Sequence, residues 1–266
     1  MRALRVHILM AIACVPSVIF AQETDRQMTC DEGRGNDRAS HCEINEMSIP
    51  MVSRLSVDGG VNGGMRVKGW PKNEILIRVR VETNADTDAQ AQALARQVVI
   101  HTGGGRIVAD GPQQAEHENW SASYEIFVPQ KIDLNLKAHN GGIGISDVRG
   151  RIEFDALNGG VSLKRLSGDV RGHTTNGGLS VELSGNRWEG GQLDTSTTNG
   201  GVSMAVPANY SAHIETSTVN GHINVEFPVT VRGEIDRQLS IDLGSGGSLV
   251  RAITTNGGVS IKRKST

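Results

Sequence analysis

The tripeptide Asn-Gly-Gly returns along the second half of this chain, each time followed by alternating apolar residues. It begins as Asn140-Gly141-Gly142-Ile143-Gly144-Ile145 and recurs at Asn158, Asn176, Asn199 and Asn256. Another copy, Asn220-Gly221-His222-Ile223-Asn224-Val225, has His in third place. In sequence order the spacings are 18, 18, 23, 21 and 36 residues. The last is twice 18, as expected if one corner between Asn220 and Asn256 has degenerated. A period near 20 is the signature of a stacked repeat. Such a repeat gives these glycines a structural reason before any ligand is invoked.

Within each unit the apolar residues alternate: Ile143 and Ile145, Val161 and Leu163, Leu179 and Val181, Val202 and Met204, Ile223 and Val225, Val259 and Ile261. Alternation places them on one face of a strand. A half-unit echo, Gly150-Arg151-Ile152-Glu153-Phe154 and Gly168-Asp169-Val170, implies two short strands and two corners per unit. Each inward Val, Ile or Leu contributes about 1.5–3 kcal/mol once stacking buries it. Asn-Gly tolerates positive φ, which is the expected role of the corner. Stacking aligns Asn140, Asn158, Asn176, Asn199 and Asn220 into an amide ladder, with Asn256 as a further corner. The threonines before the corners (Thr174-Thr175, Thr197-Thr198, Thr218, Thr254-Thr255) are expected on the outward face. The predicted fold class is all-β: a β-solenoid over 137–266 with ~4.8 Å between rungs.

The region before the repeat reads differently. Arg2 and Arg5 precede a mostly apolar stretch from Ile8 to Phe20, and Ala21 offers a cleavage point, so 1–21 is expected to be a signal peptide. Its removal leaves Cys30 and Cys42, an even count that implies a disulfide in an exported chain. Closing that short loop contributes about 3 kcal/mol. A metal site is the competing reading, but only His41 offers a further nearby ligand. Residues 22–47 are expected to be an exposed segment held by the bridge, with strand signals beginning at Met51. Residues 48–136 read as a β-rich subdomain with one helix, Asp86 to Arg96, capped by Asp86 or Thr87.

Composition narrows the partners. A net charge of -2 argues against general electrostatic binding to nucleic acid or an anionic membrane, and leaves room for a local patch. The basic tail Lys262-Arg263-Lys264 reads as solvation. The chain has nine aromatics in all (Trp 3, Tyr 2, Phe 4), and Phe20 leaves with the signal. So few rings tilt the reading away from simple sugar platforms. No later stretch is apolar enough to span a membrane.

Motifs for chemistry are weak. Gly103-Gly104-Gly105 and Gly244-Ser245-Gly246-Gly247 lack the Gly-Lys-Ser/Thr of a phosphate loop. The stretch Gly141 to Asp147 approaches a calcium-binding nonapeptide, but Ser146 stands where the aspartate belongs. Histidines at 101, 117, 139, 173, 213 and 222 show no ligand spacing, and no nucleophile elbow occurs. No catalytic, cofactor-binding or metal residues are therefore expected. The irregular unit between Asn176 and Asn199 holds Arg187, Trp188 and Glu189, a candidate binding loop. The alternative is that Trp188 folds back over the stack. A second irregularity, Phe227 to Leu243, is expected to span or cap a degenerate rung.

The runs Leu166-Ser167-Gly168-Asp169-Val170-Arg171 and Thr174-Thr175-Asn176-Gly177-Gly178 resemble the DUF4097 ("putative adhesin") family. Cys30 and Cys42, with Cys42-Glu43 leading into the first strand, are similar to bacterial members of that group. The resemblance covers about residue 48 to the end. It implies an exported bacterial β-solenoid and brings no catalytic residues. The functional expectation is a non-enzymatic, adhesin-like binding module at the cell envelope, periplasmic or at the surface. Its partner would be an envelope protein or polymer, with no nucleic acid. The alternative is a structural or regulatory envelope protein that self-assembles or joins a membrane protein. A β-helix polysaccharide lyase ranks below both, because no acidic cluster with a nearby Arg or Lys supports that chemistry.

Overall fold

The computed structural model describes residues 28–30, 38–228 and 237–264. The expected signal peptide lies outside the described residues. Period-two alternation of burial sets most strands. The chain opens with β1 (Ala39–Pro50), β2 (Arg54–Asp58), β3 (Met65–Trp70) and β4 (Glu74–Ala85). Helix α1 (Asp88–Ala95) follows, with Thr87 Oγ1 accepting from the Gln90 N–H at its N-terminus. Then come β5 (Val99–His101), β6 (Arg106–Asp110) and β7 (Asn119–Pro129). The corner region supplies β8 (Asp133–Asn140), β9 (Ile143–Ser146), β10 (Arg149–Asn158), β11 (Val161–Lys164), β12 (Ser167–Asn176) and β13 (Leu179–Glu182). It continues with β14 (Leu193–Asn199), β15 (Val202–Val206), β16 (Ala212–Ser217), β17 (Ile223–Val225), β18 (Gln238–Leu243), β19 (Leu249–Asn256) and β20 (Val259–Arg263).

These strands form two ten-stranded mixed sheets. The first runs β1-β4-β7-β3-β9-β11-β13-β15-β20-β17, the second β18-β16-β19-β14-β12-β10-β8-β2-β6-β5. Corresponding positions pair in parallel register: Val161 faces Ile143 and Leu179, and Ile152 faces Leu134 and Val170. The alternating Val, Ile and Leu residues point between the sheets into one apolar core. Hydrogen bonding crosses 136/137 without a break, since β2 pairs with β8 and β3 with β9.

Four expectations change. First, strand structure begins at Ala39, not at Met51: β1 pairs antiparallel with β4 over twelve residues. Lying at the edge, it carries no clean apolar alternation. Ile44 is exposed, while Met47 and Ile49 pack on the core.

Second, the 36-residue interval shows no lost corner among its described residues, 229–236 lying outside them. Asn256 sits between Asn199 and Asn220, because β19 and β20 insert between β14/β15 and β16/β17. Within Phe227 to Leu243, β18 covers β16 as an antiparallel edge strand. The amide column also gains a member upstream, as Asn140 Nδ2 donates to Asn62 Oδ1 at 3.0 Å.

Third, the corner glycines do not have positive φ. The first glycine of each corner is required by close approach. A Cβ on Gly177 would lie 2.2 Å from the Gly159 carbonyl oxygen. The second glycine is roomier: a Cβ on Gly178 would meet Gly201 O at 3.6 Å. This asymmetry explains why His222 is accepted in third place at the Asn220 corner.

Fourth, the leading threonines point inward. Thr174, Thr197, Thr218 and Thr254 are buried. Their hydroxyls donate to the carbonyls of Gly159, Gly177, Gly257 and Gly200 at 2.7–2.8 Å. A buried hydroxyl needs a partner, and the first corner glycine of the neighbouring layer supplies it.

Candidate binding groove

The outer face of the first sheet carries an open groove of about 870 Å³. Its floor follows from register. Across β3, β9 and β11, Arg66 aligns with Gly144 and Ser162, and Lys68 with Ser146 and Lys164. The neighbouring strands carry Ser162, Ser180, Ser203 and Ser260 in the lane where β9 has Gly144. Small side chains at Gly144, Ser146 and Ser162 therefore form a low floor between long basic ones. Lys68 and Lys164 stand two strand spacings apart, about 9–10 Å between Cα atoms.

Arg165 closes one side. It and Asp147 both have left-handed backbone, φ 53° and 58°, which costs a residue like Arg about 1–2 kcal/mol. A two-pronged ion pair holds the turn, with Arg165 Nε and Nη2 donating to the Asp147 carboxylate at 2.7 and 2.8 Å. Glu182 lies 3.6 Å from Arg165. Burial acts to raise the Glu182 pKa, but Lys264, Arg165 and Lys164 outweigh it and hold the carboxyl below its ordinary value.

Arg80 closes the other side. Its Nη1 donates to the Thr29 carbonyl at 3.3 Å and its Nη2 meets Glu82 at 3.1 Å, while its buried Nε has no hydrogen-bond partner. Met28 and Thr29 form the rim there, next to the Cys30–Cys42 disulfide that ties them to β1. Deeper in, Glu125 is 4% exposed between Arg78 at 3.1 Å and Arg66 at 3.9 Å. Arg78 is held above its ordinary pKa by its hydrogen bond to Glu46, against the opposing effect of burial, with Glu125 adding to the rise. The groove lining thus holds five cationic residues (Arg66, Lys68, Arg80, Lys164, Arg165) and one buried carboxylate.

The second sheet's outer face is charged as well. Glu153, Arg171, Asp194, Arg251 and Glu215 fall in register on successive strands, alternating in sign. Arg251 meets Asp194 at 3.6 Å, and Arg54 meets Glu153 at 2.7 Å. That face neutralises itself.

The sequence-derived candidates lie elsewhere. Trp188 is 5% exposed, packs in the core and donates its indole N–H to Gly168 O at 3.0 Å. It covers the stack, so its ring face is not offered to a partner. Arg187 and Glu189 are exposed; Arg187 bridges the Ser211 backbone and Glu189 lies 3.7 Å from Arg149. None of the three lines the groove. The column runs Asn62, Asn140, Asn158, Asn176, Asn199, Asn256, Asn220, each amide bonded to the next at 2.7–3.0 Å. Those side chains spend their polar groups on one another. No cluster of three or more His, Cys, Asp or Glu suited to a metal occurs among the described residues. The signal that sequence reasoning passed over is Gly144, a lone glycine inside a strand pattern.

No family model and no curated protein matches the chain. Among solved structures it is similar to a "putative cell adhesion protein" from Clostridium sporogenes, at 14% identity and TM-score 0.42, covering 84% of this chain and 100% of that one. It is also similar to a "putative adhesin" from Bacteroides fragilis, at 11% identity, TM-score 0.30 and coverage of 84% and 97%. A "putative lipid binding protein" from Parabacteroides distasonis matches at 14% identity, TM-score 0.30 and the same coverage.

Proposed function

We propose that this chain is an exported, non-enzymatic β-solenoid of the DUF4097 kind that works as an envelope-associated, adhesin-like binding module. The observation that carries the reading is the open groove on the first sheet, built on in-register parallel strands and rimmed by a disulfide-held segment. An open, rigid, polar trough presents fixed groups to an extended partner without needing a closing lid. The disulfide suits an oxidising compartment. No helix among the described residues is long and apolar enough to cross a membrane.

The test is capture. Oxidised residues 22–266 are immobilised and exposed to cell-wall, membrane and soluble envelope fractions. Saturable capture of a defined component is expected. Absence of capture from every fraction, together with concentration-dependent light scattering, would replace the binding module with the self-assembling structural protein.

A further inference from the structure

We propose that Asn220-Gly221 is a self-modification site, where the asparagine deamidates through a cyclic imide while the amide column protects the other corners from the same reaction. This stands apart from the reading of the chain as a binding module. The chain carries seven Asn-Gly pairs, one at each step of the column. Glycine puts no side chain in the way of its own nitrogen, so this dipeptide is open to internal attack.

The reaction needs only water. The Gly221 nitrogen gives its proton to a solvent base and attacks Asn220 Cγ. A Cγ–N bond forms, the Cγ–Nδ2 bond breaks, and the amide nitrogen leaves with a proton as ammonia. Water then opens the imide at either carbonyl, leaving aspartate or isoaspartate. One water is consumed for each ammonia released, and nothing is oxidised or reduced.

Hydrogen bonding selects the pair that reacts. At five corners both reacting groups are engaged. The N–H groups of Gly141, Gly159, Gly177, Gly200 and Gly257 donate to the asparagine carbonyl of the next layer at 3.0–3.1 Å. The asparagines before them each accept at Oδ1 and donate from Nδ2. Such a corner must give up both bonds before it can react. At the far end of the column Gly63 is buried, and a Cβ on it would lie 2.0 Å from the Ala122 carbonyl oxygen.

Asn220 ends the column on its other side. Its Nδ2 donates to Asn256 Oδ1, but among the described residues nothing donates to its Oδ1 and no carbonyl accepts the Gly221 N–H. Nucleophile and electrophile are both uncommitted there. Exposure does not make the distinction, since Asn140, Asn158, Asn176, Asn199 and Asn256 are as exposed as Asn220. The product acts back on the stack. A carboxylate at 220 cannot donate to Asn256 Oδ1, so two acceptors face each other where a 2.7 Å bond stood. Isoaspartate also lengthens the backbone by a methylene and displaces the carbonyl that accepts from Gly257.

The test is site-resolved ageing. The oxidised protein is held at mildly alkaline pH, digested at acid pH and read peptide by peptide for the amide-to-carboxylate mass change. A second sample is aged unfolded in urea. All seven pairs should react in urea. In the folded protein Asn220 should react about tenfold or more faster than any other corner, each rate being taken relative to its own rate in urea. Asn220→Ser should remove most of the ammonia that the folded protein releases. The site-resolved rates of the parent decide the matter even if that variant melts early. Protection of Asn220 equal to that of Asn176, or faster reaction at any interior corner, would overturn the proposal. Reaction first at Asn62 would place the open end on the wrong side of the column and overturn it as well.

Discussion

Asn256 donates its amide hydrogen to Asn199 Oδ1 at 2.7 Å across 57 residues of chain, and so stands between two corners that both precede it. The column is ordered by space rather than by sequence. Asn176 occupies its interior, donating to Asn158 and accepting from Asn199, both at 2.8 Å. Asn176→Ala removes both bonds and should lower stability by about 1–2 kcal/mol, since each exposed amide bond contributes modestly. Urea unfolding reads this directly; an unchanged midpoint would mean the ladder records alignment without stabilising it.

The two glycines of one corner should respond in opposite ways. Gly177→Ala forces a methyl against the Gly159 carbonyl at 2.2 Å and should cost about 1–3 kcal/mol or more. Gly178→Ala meets Gly201 O at 3.6 Å with ordinary backbone. It should be neutral or stabilise by about 0.4–1 kcal/mol through the unfolded chain. Matched melting curves decide it, and equal losses would contradict the steric account.

Trp188→Ala should destabilise by about 3–5 kcal/mol, as a buried ring and its bond to Gly168 are both lost. Arg187→Ala, one residue earlier and exposed, should fall within about 0.5 kcal/mol of the parent. Binding by Trp188→Ala should be unchanged when measured below its lowered melting temperature.

His213 gives the second sheet a pH dependence. Its Nδ1 lies 2.8 Å from Asp242, and its Nε2 lies 3.3 Å from both Glu215 and Ser240. The hydrogen bond to Asp242 chiefly raises its pKa above the ordinary 6.5, opposed by burial and aided by Glu215. The folded protein therefore holds this proton more tightly than the unfolded chain. The resulting stabilisation is fully present below about pH 6.5 and is lost as pH rises through the folded pKa. His213→Gln should flatten that decline in denaturation curves taken at successive pH values. An identical slope in the variant would assign the effect elsewhere.

Reducing Cys30–Cys42 should lower stability by about 3 kcal/mol, because the twelve-residue separation no longer constrains the unfolded chain. It should also untie Met28 and Thr29 from the groove rim, raising the susceptibility of that segment to protease. Proteolysis at an unaltered rate after reduction would show that Arg80 and its neighbours suffice to hold the rim.

The strands were legible where burial alternates on both sides of a parallel ladder, as in Val161-Ser162-Leu163 and Leu179-Ser180-Val181. Such sequences need only their own period to declare a face. β1 was not legible, because an edge strand need not alternate and its register comes from β4. The position of Asn256 was hidden for another reason: spacing along a chain cannot reveal a strand pair that doubles back. The groove was hidden in the same way. Lys68 and Lys164 lie 96 residues apart in sequence, and only the pairing of β3, β9 and β11 makes them neighbours. Trp188 shows the reverse, a residue conspicuous in sequence that packing takes inside.

The return of β19 and β20 into the stack gives the end of the chain the role of a keystone. Among the described residues, β17 pairs in its sheet with β20 alone, and β16 with β19 and the edge strand β18. A chain emerging N-terminus first would therefore carry residues 212–225 without parallel neighbours until residues 249–263 had followed. Both layers thus depend on the same late-arriving pair of strands, and a nick or truncation near residue 248 would unseat both.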